Sequence, residues 1–142
     1  MIDLQRIRGI YERIAIDAAG LVPVCVENQA AVDFSAVSEY CCFYVNFGRM
    51  QEGVIGARPQ WHTRGSLVCE IYTRKNIGPG RGLQIASPII EALMALNDTV
   101  PPIEQQIIAR VGTLAGPAQA QLQDRPHHFT RFSMPFHARG RP

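Results

Sequence analysis

The sequence predicts an α+β fold: a mostly antiparallel sheet of about five strands packed with two helices, in the order helix, three strands, helix, two strands. Three observations predict it. Apolar residues recur at helical spacing in two places, at the start and again in the second half. Elsewhere apolar residues alternate with a period of two. The strands also come in runs instead of alternating with helices, which favours short antiparallel connections.

The first element is a helix. Ile7, Ile10, Tyr11, Ile14 and Ala18 share one face, with Asp3 placed to cap its start and Gly20 to end it. Arg6, Arg8, Glu12 and Arg13 fall largely on the other side, so the helix is amphipathic and packs on a flat layer. Residues 22–27 read as a short strand ended by Asn28. A second strand spans 39–47, with Cys41, Phe43, Val45 and Phe47 on one side and Tyr40, Cys42, Tyr44 and Asn46 on the other. Both sides look largely buried, as in a central strand or one covered by a partner.

Residues 48–64 show no clear period. They hold Gly48, Gly53, Gly56 and Pro59 together with Arg49, Glu52, Arg58, Trp61, His62 and Arg64. Loops beyond about 12–15 residues are uncommon in compact domains unless functional or disordered. Strands flank this one, so it reads as a long hairpin arm. We expect it to be mobile in the monomer and to order on assembly.

Residues 66–73 form the clearest strand, Leu67, Cys69 and Ile71 alternating with Val68, Glu70 and Tyr72. A turn over 76–82 then feeds a helix at about 83–96 with Leu83, Ala86, Ile90 and Leu93 as its apolar stripe. Pro88 either kinks that helix or marks its regular start, with Ser87 as cap. Asn97, Asp98, Pro101 and Pro102 stop it. Strands at 107–113 and 129–137 close the order, with Phe132, Met134 and Phe136 on one face of the last and Arg131 and Ser133 on the other. Pro135 within it suggests an edge strand. Residues 114–128 read as a long loop and 138–142 as a flexible tail. With no repeat and no linker, residues 1–142 make a single domain.

Composition bounds the function. A chain of 142 residues buries roughly two thirds of its unfolded surface, enough for a core without metals or disulfides. The net charge of +2 is too near neutral to imply a nucleic-acid or membrane partner. Charged residues are 18% and hydrophobic residues 46%, against about 25% charged in an ordinary soluble domain. That balance fits a subunit burying part of its outside against neighbours, and equally a monomer with a polar, uncharged surface. Of the 14 basic residues Lys75 is the lone lysine; arginine suits interface ion pairs, although nucleotide bias gives the same skew. Cys25, Cys41, Cys42 and Cys69 show no metal-binding spacing and lie in apolar stretches, which points to a reducing cytoplasmic site of synthesis. The N-terminal residues lack the apolar core of a signal peptide, and no apolar run is long enough to cross a bilayer, so a soluble protein with no membrane partner is expected.

Candidate chemistry is sparse. Gly78-Pro79-Gly80-Arg81-Gly82 stands where a phosphate loop would, but matches neither glycine fingerprint, and proline removes one amide donor; a tight turn fits better. His127-His128 reads as a solvated loop pair rather than a metal site. Cys41 or Cys42 as a nucleophile would need a base such as His62 or His137 nearby; core packing is the simpler reading. Carboxylates are scattered singly, so no acid–base pair stands out. No catalytic residue, cofactor or metal is expected. Trp61, beside Arg58, His62 and Arg64, fits either an interface anchor or a plug for the chain's own core.

Three stretches carry a resemblance to a known family. They are the N-terminal helix leading to Val24-Cys25-Val26-Glu27-Asn28; the strand Arg64-Gly65-Ser66-Leu67-Val68-Cys69-Glu70-Ile71-Tyr72 followed by Gly78-Pro79-Gly80-Arg81-Gly82 and a helix; and the ending Phe129-Thr130-Arg131-Phe132-Ser133-Met134-Pro135-Phe136. In order and spacing these resemble the phage tail terminator family of lambda-like siphophages, prophages and gene-transfer particles. Glu27 departs from the form common there, an aromatic and a proline. The resemblance implies a non-enzymatic virion protein of the tail or neck, made in the host cytoplasm. It forms a ring, hexameric in that family, on the head-proximal end of the tail tube. The ring ends tube polymerisation and presents a surface for head–tail joining. Its partners would be copies of itself, the tail tube protein and a head-completion or connector protein, with DNA passing through the lumen without sequence-specific binding. Interface candidates are Arg49, Glu52, Arg58, Trp61, His62 and Arg64 on the arm, and Arg74, Lys75 and Arg81 at a ring face or lumen. A head–tail stopper, a minor tube component and a small cysteine-dependent enzyme are the alternatives.

Overall fold

The computed structural model describes residues 3–26, 38–55, 58–74, 80–99, 107–121 and 127–140. In chain order these form α1 (Leu4–Ala19), β1 (Val24–Val26), β2 (Tyr40–Ile55), β3 (Arg58–Arg74), α2 (Gly80–Met94) with a 3-10 turn at Ala95–Asp98, β4 (Ile107–Val111), β5 (Ala115–Gln121) and β6 (His127–Gly140). The six-stranded sheet runs β1-β2-β3-β6-β4, and β5 pairs with β6 beside β4. Every pairing is antiparallel except β1 with β2. This is the expected α+β fold, with one strand more than the sequence suggests.

Helix α1 forms as its sequence dictates. The Asp3 carboxylate accepts the Arg6 backbone N–H at 3.1 Å, and Gly20 ends the helix at a φ of 65°, a conformation that side chains resist. Ile7, Tyr11 and Ala15 are buried, with Ile10, Ile14 and Ala18 packed beside them. The Tyr11 hydroxyl donates to the Arg110 carbonyl at 2.9 Å, with the His137 carbonyl a longer 3.3 Å away, and so ties the helix to β4 and β6.

Helix α2 differs from expectation at its start and in its rotation. Gly80, Arg81 and Gly82 belong to its first turn, not to the turn before it. The buried stripe is Gly82, Ile85, Ala86, Ile89 and Leu93, whereas Leu83 is 40% exposed. A Cβ at Gly82 would collide with the Thr130 hydroxyl on β6, so the missing side chain is what lets helix and sheet approach. Pro88 lies inside the helix on its exposed side, where solvent reaches the Gln84 carbonyl left without its N–H partner. Ser87 does not cap; its hydroxyl donates to the Leu83 carbonyl at 3.0 Å.

Both helices cover the same side of the sheet. Register places Cys41, Ile71 and Thr130 in one row on that side, then Phe43, Cys69 and Phe132, then Val45, Leu67 and Met134, then Phe47, Gly65 and Phe136. These rows and the helix stripes form the core. Among the described residues the opposite face carries no helix. One end of it holds Tyr40 stacked on Tyr72 at 4.6 Å, with Phe129 and His127 against the same rings. His127 is therefore a buried aromatic neighbour and not half of a solvated loop pair.

Within the expected arm, residues 48–55 and 58–64 form a two-stranded ribbon, the β2–β3 ladder running on to the Ile55–Arg58 pair. The period vanishes from the sequence because β2 has a bulge at Gly48: Phe47 opposes Gly65, yet Arg49 opposes Arg64. The extra residue reverses which parity faces the helices, so one alternating pattern becomes two of opposite phase.

Residues 114–128 are not one loop, since β5 lies within them. Its sequence, Ala-Gly-Pro-Ala-Gln-Ala-Gln, has neither branched nor aromatic residues. It becomes a strand because β6 offers it a ladder. Strand β6 starts at His127 and runs to Gly140, so Ala138 to Gly140 are strand and not flexible tail. It is also internal, with β3 on one side and β4 and β5 on the other, so Pro135 marks no edge. The Pro135 carbonyl accepts from Gly112 N–H at 2.7 Å. Its ring nitrogen thus faces the junction between β4 and β5, where no ladder bond is required.

Candidate functional site

The structure separates the sequence-selected residues into two groups at opposite ends of the sheet. Arg49 is exposed just past the bulge and opposes Arg64, also exposed. His62, half exposed, follows on the same face of β3. Glu52 opposes Trp61 and Arg58 opposes Ile55 in the ribbon; the side chains of Glu52 and Arg58 lie outside the described set. Trp61 is half buried and packs against the chain's own core, the second of the two readings its sequence allows.

The other group does not assemble as one patch. Arg74 is exposed at the far end of β3, roughly 33 Å from Arg64 at about 3.3 Å per residue. Lys75 lies outside the described residues. Arg81, in the first turn of α2, makes a two-pronged ion pair with Glu39, its Nε and an Nη donating at 2.7 and 2.8 Å. That bond holds the Glu39 carboxyl below its ordinary range. Arg81 therefore ties the helix start to the entry of β2.

Sequence reasoning missed three residues beside Arg49 and Arg64. His137 of β6 opposes Arg64 on one side and Arg110 of β4 on the other, and Arg139 opposes His62. Burial, then Arg64, Arg110, Arg139 and His62 in turn, push the His137 imidazole below the usual histidine range. The signal was available: alternation from Arg131 and Ser133 continues through Pro135 to His137 and Arg139. Treating 138–142 as tail cut it short.

The structure does not bring Cys41 or Cys42 to His62. Cys41 and Cys69 are in the core. Cys42 is half buried, and desolvation pushes its thiol up to about 11, away from the thiolate that attacks. Its register neighbour on β3 is Glu70. His62 opposes Gln51, roughly 30 Å further along β2 at about 3.3 Å per residue. Among the described residues no group of histidine, cysteine and carboxylate side chains is placed to hold a metal, and no helix is long and apolar enough to cross a membrane.

The edges of the sheet are treated unequally. Strand β4 is blunted: Asn97 Nδ2 donates to the Val111 carbonyl at 3.1 Å, while Val111 N–H donates to Asn97 Oδ1 at 3.0 Å. The Arg110 guanidinium covers the Ala109 carbonyl at 2.9 Å and also bonds the Leu96 and Thr99 carbonyls. By contrast, β1 covers β2 only as far as Phe43, which leaves the edge of β2 over 44–55 without a strand partner among the described residues. The outer edge of β5 is likewise unpaired among them, and its residues 115–120 are exposed.

No protein-family model matches this chain, and no curated protein matches it. Solved structures do match. One of them, whose name carries no functional word, superposes over 100% of this chain and 99% of its own with a TM-score of 0.72 at 17% identity. A likeness at that identity establishes the fold and leaves function to be argued from surfaces.

Proposed function

We propose that the protein is a structural subunit, a tail terminator that acts by forming a closed ring with copies of itself on the head-proximal end of a tail tube. One observation carries the reading: side-chain bonds close the edge of β4, while the edges of β2 over 44–55 and of β5 have no strand partner among the described residues. Isolated sheet proteins normally guard such edges against pairing with other chains. Two different edges meeting from copy to copy make a heterologous contact, and repetition around a rotation that closes gives a ring. The small side chains of Ala115, Gly116, Ala118 and Ala120 allow a neighbouring strand to come close. The ribbon of β2 and β3 supplies reach toward a neighbouring subunit or the tube. The resemblance of the three sequence stretches adds the particular place in the particle.

The test is direct. Purified protein at particle-like concentrations is expected to sediment as a closed oligomer and to appear as rings by electron microscopy. Added to polymerising tube protein, it is expected to stop elongation. A monomer at every concentration, with tube lengths unchanged, would overturn the proposal. A ring that binds a connector but leaves tube growth unchanged would favour a head–tail stopper instead.

A further inference from the structure

We infer that the helix-free face of the sheet, at its ribbon end, binds the phosphate backbone of double-stranded DNA. The inference deepens the reading above by naming which surface of the subunit turns toward the duplex, and it replaces Arg74, Lys75 and Arg81 in that role. One row across four strands carries Arg49, Arg64, His137 and Arg110 in direct register. The next row on the same face carries His62 and Arg139. Arg49, Arg64, His137 and Arg139 are all exposed.

Like charges directly opposed across strands destabilise a sheet, so this assembly costs stability in the free chain. Ordinarily carboxylates would relieve it. The ion pairs seen among the described residues, Arg8 with Glu12 and Arg81 with Glu39, lie elsewhere. Partial burial first, and then the arginines around it, lower the His137 imidazole, in line with that field. Arg110 has its guanidinium turned to backbone carbonyls and adds to the field alone, which leaves Arg49, Arg64 and Arg139 as forks with no ion-pair partner among the described residues.

A shallow cavity of about 280 Å³ opens within this band, lined by Arg64, Gly65, Gly112, Pro135, Phe136 and His137. Its lining of small residues beside an arginine and an imidazole suits a phosphate group. Extent decides between a single anion and a polymer. Four strands at about 4.8 Å spacing make the row roughly 14 Å wide, and a duplex carries one charge per about 1.7 Å of its axis. The same length of duplex therefore carries about eight phosphates over its two strands, more than enough for several contacts on one side. A second copy of the chain is a poorer occupant, because its described carboxylates, Asp3, Glu12, Asp17, Glu39, Glu70, Glu91 and Asp98, are scattered over several elements.

The experiment is fluorescence anisotropy of a labelled duplex of about 30 base pairs, titrated with the full chain across a salt series, with sedimentation of the same samples. Three phosphate contacts predict a salt slope near −2.7, so affinity falls about 40-fold between about 50 and about 200 mM salt. With Arg64→Gln and Arg139→Gln together one contact remains, and the fall shrinks to about 3- or 4-fold over that range. Arg131→Gln, on the same face but near the aromatic end, is expected to behave as wild type. Duplex binding that is absent, or unchanged in the double variant, overturns the inference. So does polyglutamate that displaces the duplex at equal charge concentration, which would mark the face as a seat for an acidic protein. Rings without duplex binding sink this inference and spare the terminator reading; duplex binding by a permanent monomer does the reverse.

Discussion

Gly82→Ala is expected to destabilise the protein, although the same exchange at Gly9 is expected to stabilise it. Both glycines lie inside helices, where alanine is ordinarily better by about 1 kcal/mol. At Gly9 that gain is realised, since a Cβ there meets nothing within 4 Å. At Gly82 the new Cβ overlaps the Thr130 hydroxyl and stands 3.1 Å from Thr130 Cβ. Thr130 is fully buried and branched at Cβ, so it cannot swing away without driving its methyl group into the core. Overpacking of this kind costs about 1–3 kcal/mol, which offsets the helix gain and leaves a net loss of up to about 2 kcal/mol. In urea unfolding with a slope of about 2 kcal/mol per molar, the midpoint should fall by up to roughly 1 M for Gly82→Ala and rise by about 0.5 M for Gly9→Ala. Thr130→Ala removes the obstacle, so Gly82→Ala added to that background should be neutral or stabilising. If Gly82→Ala raises the midpoint as Gly9→Ala does, or costs as much without the threonine hydroxyl as with it, the packing argument is wrong.

Two further expectations concern groups that tie the layers together. Tyr11→Phe leaves the Arg110 carbonyl without its buried donor and should cost about 1–2 kcal/mol in thermal or urea unfolding, with little change in secondary structure. His137 binds its proton less readily when folded than when unfolded, so acidification through the ordinary histidine range favours the unfolded chain. Stability should fall as pH drops below about 6.5, the ordinary histidine pKa, and His137→Gln should fall less over the same span; parallel curves for the two proteins would refute the assignment.

Much of the fold was legible because its signals are local. The α1 stripe, its Asp3 cap and Gly20 stop, and the alternation through Cys69 and Phe132 depend on near neighbours in sequence. What escaped depends on partners distant in sequence. Strand β5 has no apolar alternation to detect, because neither of its faces is buried; β6 makes it a strand. Pro135 misled for a related reason, since an internal strand tolerates it only where two partners meet end to end. In the candidate site, Arg49 and Arg64 stood out beside glycines and a tryptophan, but their neighbours His137 and Arg139 are some seventy residues later. Only strand register brings them together.

The bulge at Gly48 makes one point of β2 unusually tolerant of a change in length. Removing Gly48 would take out the bulge and leave the facing unchanged, because Arg49 would then follow Phe47 directly and still oppose Arg64. A residue gained or lost elsewhere in the paired part of β2 acts differently, since every position beyond it slips to the other side while its partners on β3 stay put. Descendants of this chain could therefore lengthen or shorten the strand at that one position and keep the same surface on their projecting finger.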